Sequence, residues 1–215
     1  VQAERATHYE AALARLDALG RTFRCTCSRR EIREASAPHG LGDEGPRYPG
    51  TCRDGFRPRP GRTPATRLRT EPGDRFGVDD RLLGRFEQDV FADVGDFVLR
   101  RSDGLWAYQL AVTVDDLVQG VTCVVRGADL LSSTPRQLLL RHLLAPDAPP
   151  LETLHLPLLL DPEGTRLSKR HGAVPIARHR DDGRAPEAVV GALAASLGLV
   201  PPGTEARPAD LVARW

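Results

Sequence analysis

A single lysine stands in this chain, and it stands among residues able to handle phosphate. Lys169 lies in Gly164-Thr165-Arg166-Leu167-Ser168-Lys169-Arg170-His171-Gly172, a polar loop bracketed by glycines; every other member of the 30 Lys plus Arg is arginine. Asn and Met are absent and Ile occurs twice, a bias under which tolerant lysines become arginines. Where chemistry needs a compact ammonium on a flexible stem, arginine substitutes poorly, so the surviving lysine is a functional candidate. An ammonium there can stabilise charge developing on a leaving pyrophosphate, and the Ser168 hydroxyl with the loop N–H groups can orient phosphate oxygens. The loop therefore reads as the phosphate-handling part of an ATP site, with Lys169 as its catalytic residue; a plain surface turn is the alternative.

A second group of residues suits metal. Cys25 and Cys27 form a C-x-C pair, and Cys52 follows at the end of an irregular stretch. Three thiols so close together suggest a metal site more than disulfides. A closed structural zinc site wants four ligands. His39 is the ordinary fourth ligand and Tyr48, four residues before Cys52, the unusual one; three unlinked free thiols are the bland reading. Cys123, inside the apolar run Val121 to Val125, is expected to be a small buried hydrophobe. Six arginines and one aspartate fall between Arg53 and Arg69, with one aromatic, Phe56. Such a strip beside a zinc knuckle fits contact with a nucleic-acid backbone, or equally a solvated loop.

Composition sets the outer limits. The 215 residues suit one large domain or a core with an insertion, and 40% hydrophobic content is enough for a packed core. A net charge of +1 gives no global field toward nucleic acid. No apolar run approaches the roughly 18 residues of a membrane span, and the opening VQAERATHYE does not read as a signal peptide, so a soluble cytoplasmic protein is expected. The opening Val1 implies either a start codon read as valine or residues that precede it.

These groups need elements to hold them. Thr7 and Glu10 predict a capping box before the stripe Tyr9, Leu13, Leu16, Leu19, with Gly20 ending the helix. An extended piece from Arg21 to Cys27 follows, then a second capping box from Ser28 and Glu31. From Ala37 to Ala65 periodicity vanishes among six Pro and six Gly; a loop this long needs a staple other than a hydrophobic core. Ala65 to Thr70 reads as a strand, and Phe97 to Tyr108 as a hairpin turning at Ser102-Asp103-Gly104. Gln109 to Leu117 is helix-like. Val121 to Arg126 is read as a buried parallel strand. Ser133, Thr134 and Pro135 start a helix through Leu144. Leu154 to Leu160 is a strand, and Pro186 to Leu197 a helix stopped by Gly198. Alternating strands and helices predict an α/β fold. The pair Asp115-Asp116 is read as structural, hydrogen bonding at a helix end.

The loop RLSKR resembles the KMSKS-type signature of class I aminoacyl-tRNA synthetases in its glutamate form. Val114 to Leu140, with its Asp pair, strand, Arg-Gly-x-Asp-Leu and Thr-Pro-x-Gln, is similar to the glutamyl enzymes, as is LHLPLLL before the loop. Within that family the chain resembles a truncated branch. Only 46 residues follow Lys169 (215 less 169), too few for an anticodon-binding domain of roughly 100 residues. The CTC pair followed by Tyr-x-x-x-Cys resembles that branch's zinc knuckle, which nominates Tyr48 over His39. Leu105 to Ala111 is similar to the segment whose tyrosine lies in the glutamate pocket.

The resemblance implies a partial Rossmann-like catalytic core (1–24 and 71–160), a zinc-binding, acceptor-type insertion (25–70), and a signature loop with a C-terminal helical segment (161–215). It further implies ligase activity, with ATP bound at Arg166, Leu167, Ser168, Lys169 and Arg170, and glutamate at Tyr108 and Arg126. One structural zinc would sit on Cys25, Cys27, Tyr48 and Cys52, and Mg2+ would accompany ATP. The implied partners of a monomer are glutamate, ATP and tRNA(Asp), whose queuosine receives the activated glutamate. Arg166 stands in place of the signature's first lysine, and RHGA after the loop is closer to the full-length glutamyl enzymes. The family's first strand and its His-containing ATP signature have no counterpart here, so this chain alone is expected not to activate glutamate. The rival expectations are a fragment of a discriminating glutamyl-tRNA synthetase charging tRNA(Glu), and a non-catalytic tRNA-binding remnant.

Overall fold

The computed structural model describes residues 2–35, 46–160 and 174–212. They fall into two compact units, 1–156 and 157–215. In the first, α1 (Ala6–Ala18) is built on alanine, the best helix former, and turns Tyr9 and Leu16 inward with Ala12 and Leu13 beside them. It ends as expected: Gly20 takes φ +69°, and the Arg21 N–H returns to the Leu16 carbonyl at 2.9 Å. The expected capping box of Thr7 and Glu10 does not form. A short 3-10 turn, Gln2–Glu4, precedes the helix, so Arg5 becomes the N-cap without a side-chain cap and Thr7 already lies inside the first turn.

β1 (Thr22–Cys25) leads into α2 (Arg29–Ala35). Here the predicted box is present: Glu31 N–H donates to Ser28 Oγ at 3.2 Å, and Ser28 N–H donates to the Glu31 carboxylate at 2.7 Å. Residues 46–64 carry no helix or strand. β2 (Ala65–Leu68) pairs antiparallel with β1, setting Cys25 opposite Ala65. The hairpin of β3 (Arg75–Asp80) and β4 (Gly84–Asp89) is an element the sequence patterning missed. A π-helical turn, Val90–Val94, leads to β5 (Val98–Arg100), which completes the sheet order β1-β2-β5. The turn after β5 closes at Gly104 (φ +84°), and Arg100 bridges Trp106.

α3 (Tyr108–Gln119) ends at Gly120 in the left-handed region. β6 (Cys123–Gly127) passes through a 3-10 turn into α4 (Thr134–Leu144), with Pro135 in its first turn as expected, and returns as β7 (Glu152–Leu156), parallel to β6. This βαβ unit is the one parallel pairing among the described residues; the other ladders are antiparallel. The expectation of a buried strand is corrected. β6 has a single strand neighbour among the described residues, so Val125 is 58% exposed, and Cys123 is exposed rather than a core residue. β7 also stops at Leu156, short of the predicted Leu160.

The core of this unit gathers Tyr9, Leu16, Leu68, Val90, Leu99, Leu110, Leu139 and Leu140 from α1, the sheet, α3 and α4. Asp115 fastens α1 to α3: it accepts from the Tyr9 hydroxyl (2.9 Å), Arg5 Nε (2.5 Å) and Gln2 Nε2 (3.2 Å). Its role is structural, as read, but it acts from within the helix rather than at its end. The second unit holds α5 (Ile176–Asp181), α6 (Pro186–Ser196) and α7 (Pro208–Leu211). Gly191 of α6 lies so close to the Thr204 carbonyl that a Cβ there would sit 1.7 Å from its oxygen. Gly198 (φ +73°) ends α6 as expected. Among the described residues, no helix is long and apolar enough to cross a membrane.

Candidate functional site

The end of β1 and the irregular stretch bring the cysteines together. The Sγ atoms of Cys25, Cys27 and Cys52 all lie within 4.8 Å of one another, and Cys27 and Cys52 are 3.7 Å apart. Four ligands around zinc with Zn–S near 2.3 Å give S···S edges of about 3.8 Å, so the thiol spacing fits. The Tyr48 phenol oxygen is 3.3 Å from Cys25 Sγ and 3.7 Å from Cys27 Sγ, and it accepts the Cys52 N–H at 2.8 Å. The structure thus gathers all four residues of the predicted set. His39 lies outside the described residues.

The chemistry of this cluster also suits a cation. Burial pushes the Cys27 thiol up to about 11, against a lowering contribution from the Tyr48 hydroxyl. Burial likewise raises the Tyr48 phenol, followed by its hydrogen bond with Cys25. Cys52 moves the other way: burial would raise it, but the N–H groups of Thr26 and Arg57 and the Tyr48 hydroxyl outweigh that. A bound divalent cation overturns such burial costs and deprotonates coordinating thiols outright. The Arg67 guanidinium lies 4.0 Å from the Tyr48 ring centroid, a cation that favours electron density on the phenol. Among the described residues, Ile32 and Phe23 join the three cysteines and Tyr48 in a small apolar cluster here.

The arginine strip serves largely to hold this insertion. Arg59 and Arg62 both pair with Glu31, Arg53 with buried Asp96, and Arg69 with Asp54. The Ser28 backbone N–H, then the Ser28 hydroxyl, Arg59 and Arg62, hold the Glu31 carboxyl well below the usual range. Arg24 stacks over Phe56 at 4.7 Å.

The second cluster lies at the carboxyl end of β6. Arg126 donates Nε–H to His155 Nε2 (3.0 Å), one terminal nitrogen to Gln137 Oε1 (2.9 Å) and the other to Thr134 Oγ1 (2.8 Å). Gln137 donates onward to Gln109 Oε1 (2.9 Å), and Gln109 donates to Ser133 Oγ (3.0 Å). Tyr108 is the first residue of α3 and is 48% exposed. Its chain neighbour, Gln109, is therefore what couples the start of α3 to Arg126. His155 Nδ1 lies 2.6 Å from Asp80 Oδ2, and both residues are buried. Burial would raise Asp80, but hydrogen bonds from His155, the Leu83 and His155 N–H groups and Thr153 outweigh it and hold the carboxyl well below the usual range. Asp116 is raised, chiefly by burial, against Arg126 and Arg141.

Thr134, Gln137 and His155 were legible as parts of Thr-Pro-x-Gln and LHLP, though not as partners of Arg126. Asp80 gave no such signal, because its role depends on a hairpin that packs against β7. Arg166, Leu167, Ser168, Lys169 and Arg170 lie outside the described residues.

A βαβ unit that carries an arginine at the end of its first strand, beside a thiol-rich insertion, matches a known class. The chain belongs to the class I tRNA synthetases: the family described as tRNA synthetases class I (E and Q), catalytic domain, matches residues 1–206. Its fold is similar to a glutamate tRNA ligase from Elizabethkingia meningosepticum solved with its amino acid, at TM-score 0.68 and 22% identity over 90% of this chain and 44% of that one. More particularly, it is 49% identical to the glutamyl-Q tRNA(Asp) synthetase of Symbiobacterium thermophilum over 98% of this chain. It is 50% identical to that of Nocardia farcinica over 93% and 46% identical to that of Geobacter sulfurreducens over 100%. The chain spans 66%, 63% and 67% of those relatives' lengths.

Proposed function

We propose that this chain serves the ATP-dependent activation of glutamate and its transfer to the queuosine of tRNA(Asp). In the first step a glutamate carboxylate oxygen attacks the α-phosphorus of ATP and pyrophosphate leaves. In the second a queuosine hydroxyl attacks the acyl carbon and AMP leaves. The observation that carries this reading is Arg126, fixed by three neighbours at a strand's carboxyl end, where open α/β sheets bind their ligands. A guanidinium so held can grip a carboxylate bidentately, and Tyr108 at the start of α3 adds a phenol. Arg166 to Arg170 would take the ATP phosphates, Lys169 stabilising the leaving pyrophosphate, with Mg2+ accompanying the nucleotide. Cys25, Cys27, Tyr48 and Cys52 would hold one zinc, whose role is structural because four protein ligands leave no open position.

The relatives' names favour tRNA(Asp) as the acceptor. The test is run on this chain and on the product of its whole reading frame. Glutamate-dependent ATP–pyrophosphate exchange is measured first, then transfer of labelled glutamate to queuosine-containing tRNA(Asp), to tRNA(Asp) lacking queuosine, and to tRNA(Glu). Label that appears only on the first, and stays with the anticodon fragment rather than the 3′-terminal fragment after ribonuclease cleavage, is expected. Label on the 3′ end of tRNA(Glu) would refute the reading.

A further inference from the structure

Arg126 is oriented by a buried pair that the proposed chemistry does not itself use. An arginine nitrogen donates and never accepts, so the 3.0 Å contact from Arg126 Nε requires a lone pair on His155 Nε2. The proton of the imidazole is then on Nδ1, where Asp80 Oδ2 accepts it at 2.6 Å. A doubly protonated ring would set a second donor and a second cation against the guanidinium. Asp80 is fixed in turn: its other oxygen accepts the N–H groups of Leu82 (3.1 Å), Leu83 (3.0 Å) and His155 (3.2 Å), and Thr153 Oγ1 donates to Oδ2 at 2.8 Å. Each partner thus leaves the next a single orientation.

The donor count shows what this achieves. Of the five guanidinium N–H groups, His155, Gln137 and Thr134 take three. One remains on each terminal nitrogen, available to a further acceptor such as a carboxylate. We infer that Asp80 and His155 are positioning residues for glutamate recognition: Asp80 selects the His155 tautomer, and His155 fixes the guanidinium plane so that its two remaining N–H groups meet a glutamate carboxylate. This inference rests on the reading of Arg126 as a glutamate ligand.

Two substitutions separate positioning from packing. In His155→Asn the amide reaches Asp80 but no longer Arg126; in His155→Gln it reaches the position of Nε2 and offers Arg126 an oxygen. L-glutamate affinity is measured by calorimetry, and the Arg126 Nε–H by 1H–15N NMR, assigned through Arg126→Lys. Loss of one charge-assisted hydrogen bond is worth about tenfold to a hundredfold. His155→Asn should weaken glutamate binding by that factor and abolish the slowly exchanging Nε–H signal, and His155→Gln should restore most of both. Wild-type imidazole nitrogen shifts should report the Nδ1–H tautomer; an Nε2–H tautomer overturns the inference, and so does an unchanged Nε–H signal in a folded His155→Asn. If Arg126→Lys loses glutamate while His155→Asn binds normally, positioning fails alone. If Arg126→Lys binds glutamate as wild type does, or wild type binds none, the Arg126 reading fails and the inference with it.

Discussion

Asp115 offers a sharp test of how α3, and with it Tyr108 and Gln109, is held in place. The carboxylate accepts from Tyr9, Arg5 and Gln2. Tyr9→Phe removes one donor while Arg5 and Gln2 still satisfy the carboxylate, a loss of about 1–1.5 kcal/mol. Asp115→Ala is costlier, because it leaves a hydroxyl without an acceptor on a residue only 1% exposed. Orphaning that group costs about 1–3 kcal/mol, and the Arg5 ion pair adds less than about 1 kcal/mol because Arg5 is 23% exposed at its side chain. The total is about 1–4 kcal/mol. In the double variant the hydroxyl is gone, so its orphaning cost disappears and the sum should overshoot by about 1–2 kcal/mol. Urea unfolding followed by Trp106 fluorescence suits this cycle, since its ring lies edge-on to Tyr9 at 5.6 Å; Trp215→Phe in every variant isolates the signal. Single-variant effects that add within about 0.5 kcal/mol would refute the coupling.

Metal analysis of protein purified without chelator should find one zinc per chain, and Cys52→Ser should lose it; a metal-free protein with the insertion folded counts against the site. Gly191→Ala should destabilise the second unit by several degrees in a thermal melt, although helix propensity alone favours alanine by about 1 kcal/mol, because its Cβ would sit 1.7 Å from a backbone oxygen; an unchanged or raised midpoint refutes the close approach. In the product of the whole reading frame, Lys169→Ala should lower ATP–pyrophosphate exchange by about a hundredfold or more with circular dichroism unchanged, and near-normal exchange would remove the lysine from the mechanism.

What could be read from the sequence was what is local. The box of Ser28 and Glu31, the start of α4 at Thr134 and Pro135, and the stop of α6 at Gly198 each depend on residues within a few positions of one another. The thiol cluster was legible because its residue types are uncommon, even though Cys25 and Cys52 meet only after the chain has folded. The errors arose where a neighbour decides. Val121 to Arg126 has the apolar run of a doubly covered strand, yet Val125 and Cys123 are exposed because strand pairing is one-sided among the described residues. Thr7 and Glu10 match a capping box, but the preceding turn moves the helix start away from them.

The arginine network shows why a site can be half legible. Arg126, Thr134 and Gln137 belong to one βαβ unit, so a pattern covering that unit contains all three. Asp80 enters from a hairpin 75 residues before His155, in a stretch without periodic apolar signal. Its importance comes from burial: away from water, an aspartate must be matched by donors, and five hydrogen bonds converge on Asp80, from Leu82, Leu83, Thr153 and two atoms of His155. The hairpin is thereby locked to β7, and β7 presents the imidazole to Arg126. An element with no chemistry of its own in the sequence thus sets the orientation of the arginine proposed to recognise glutamate.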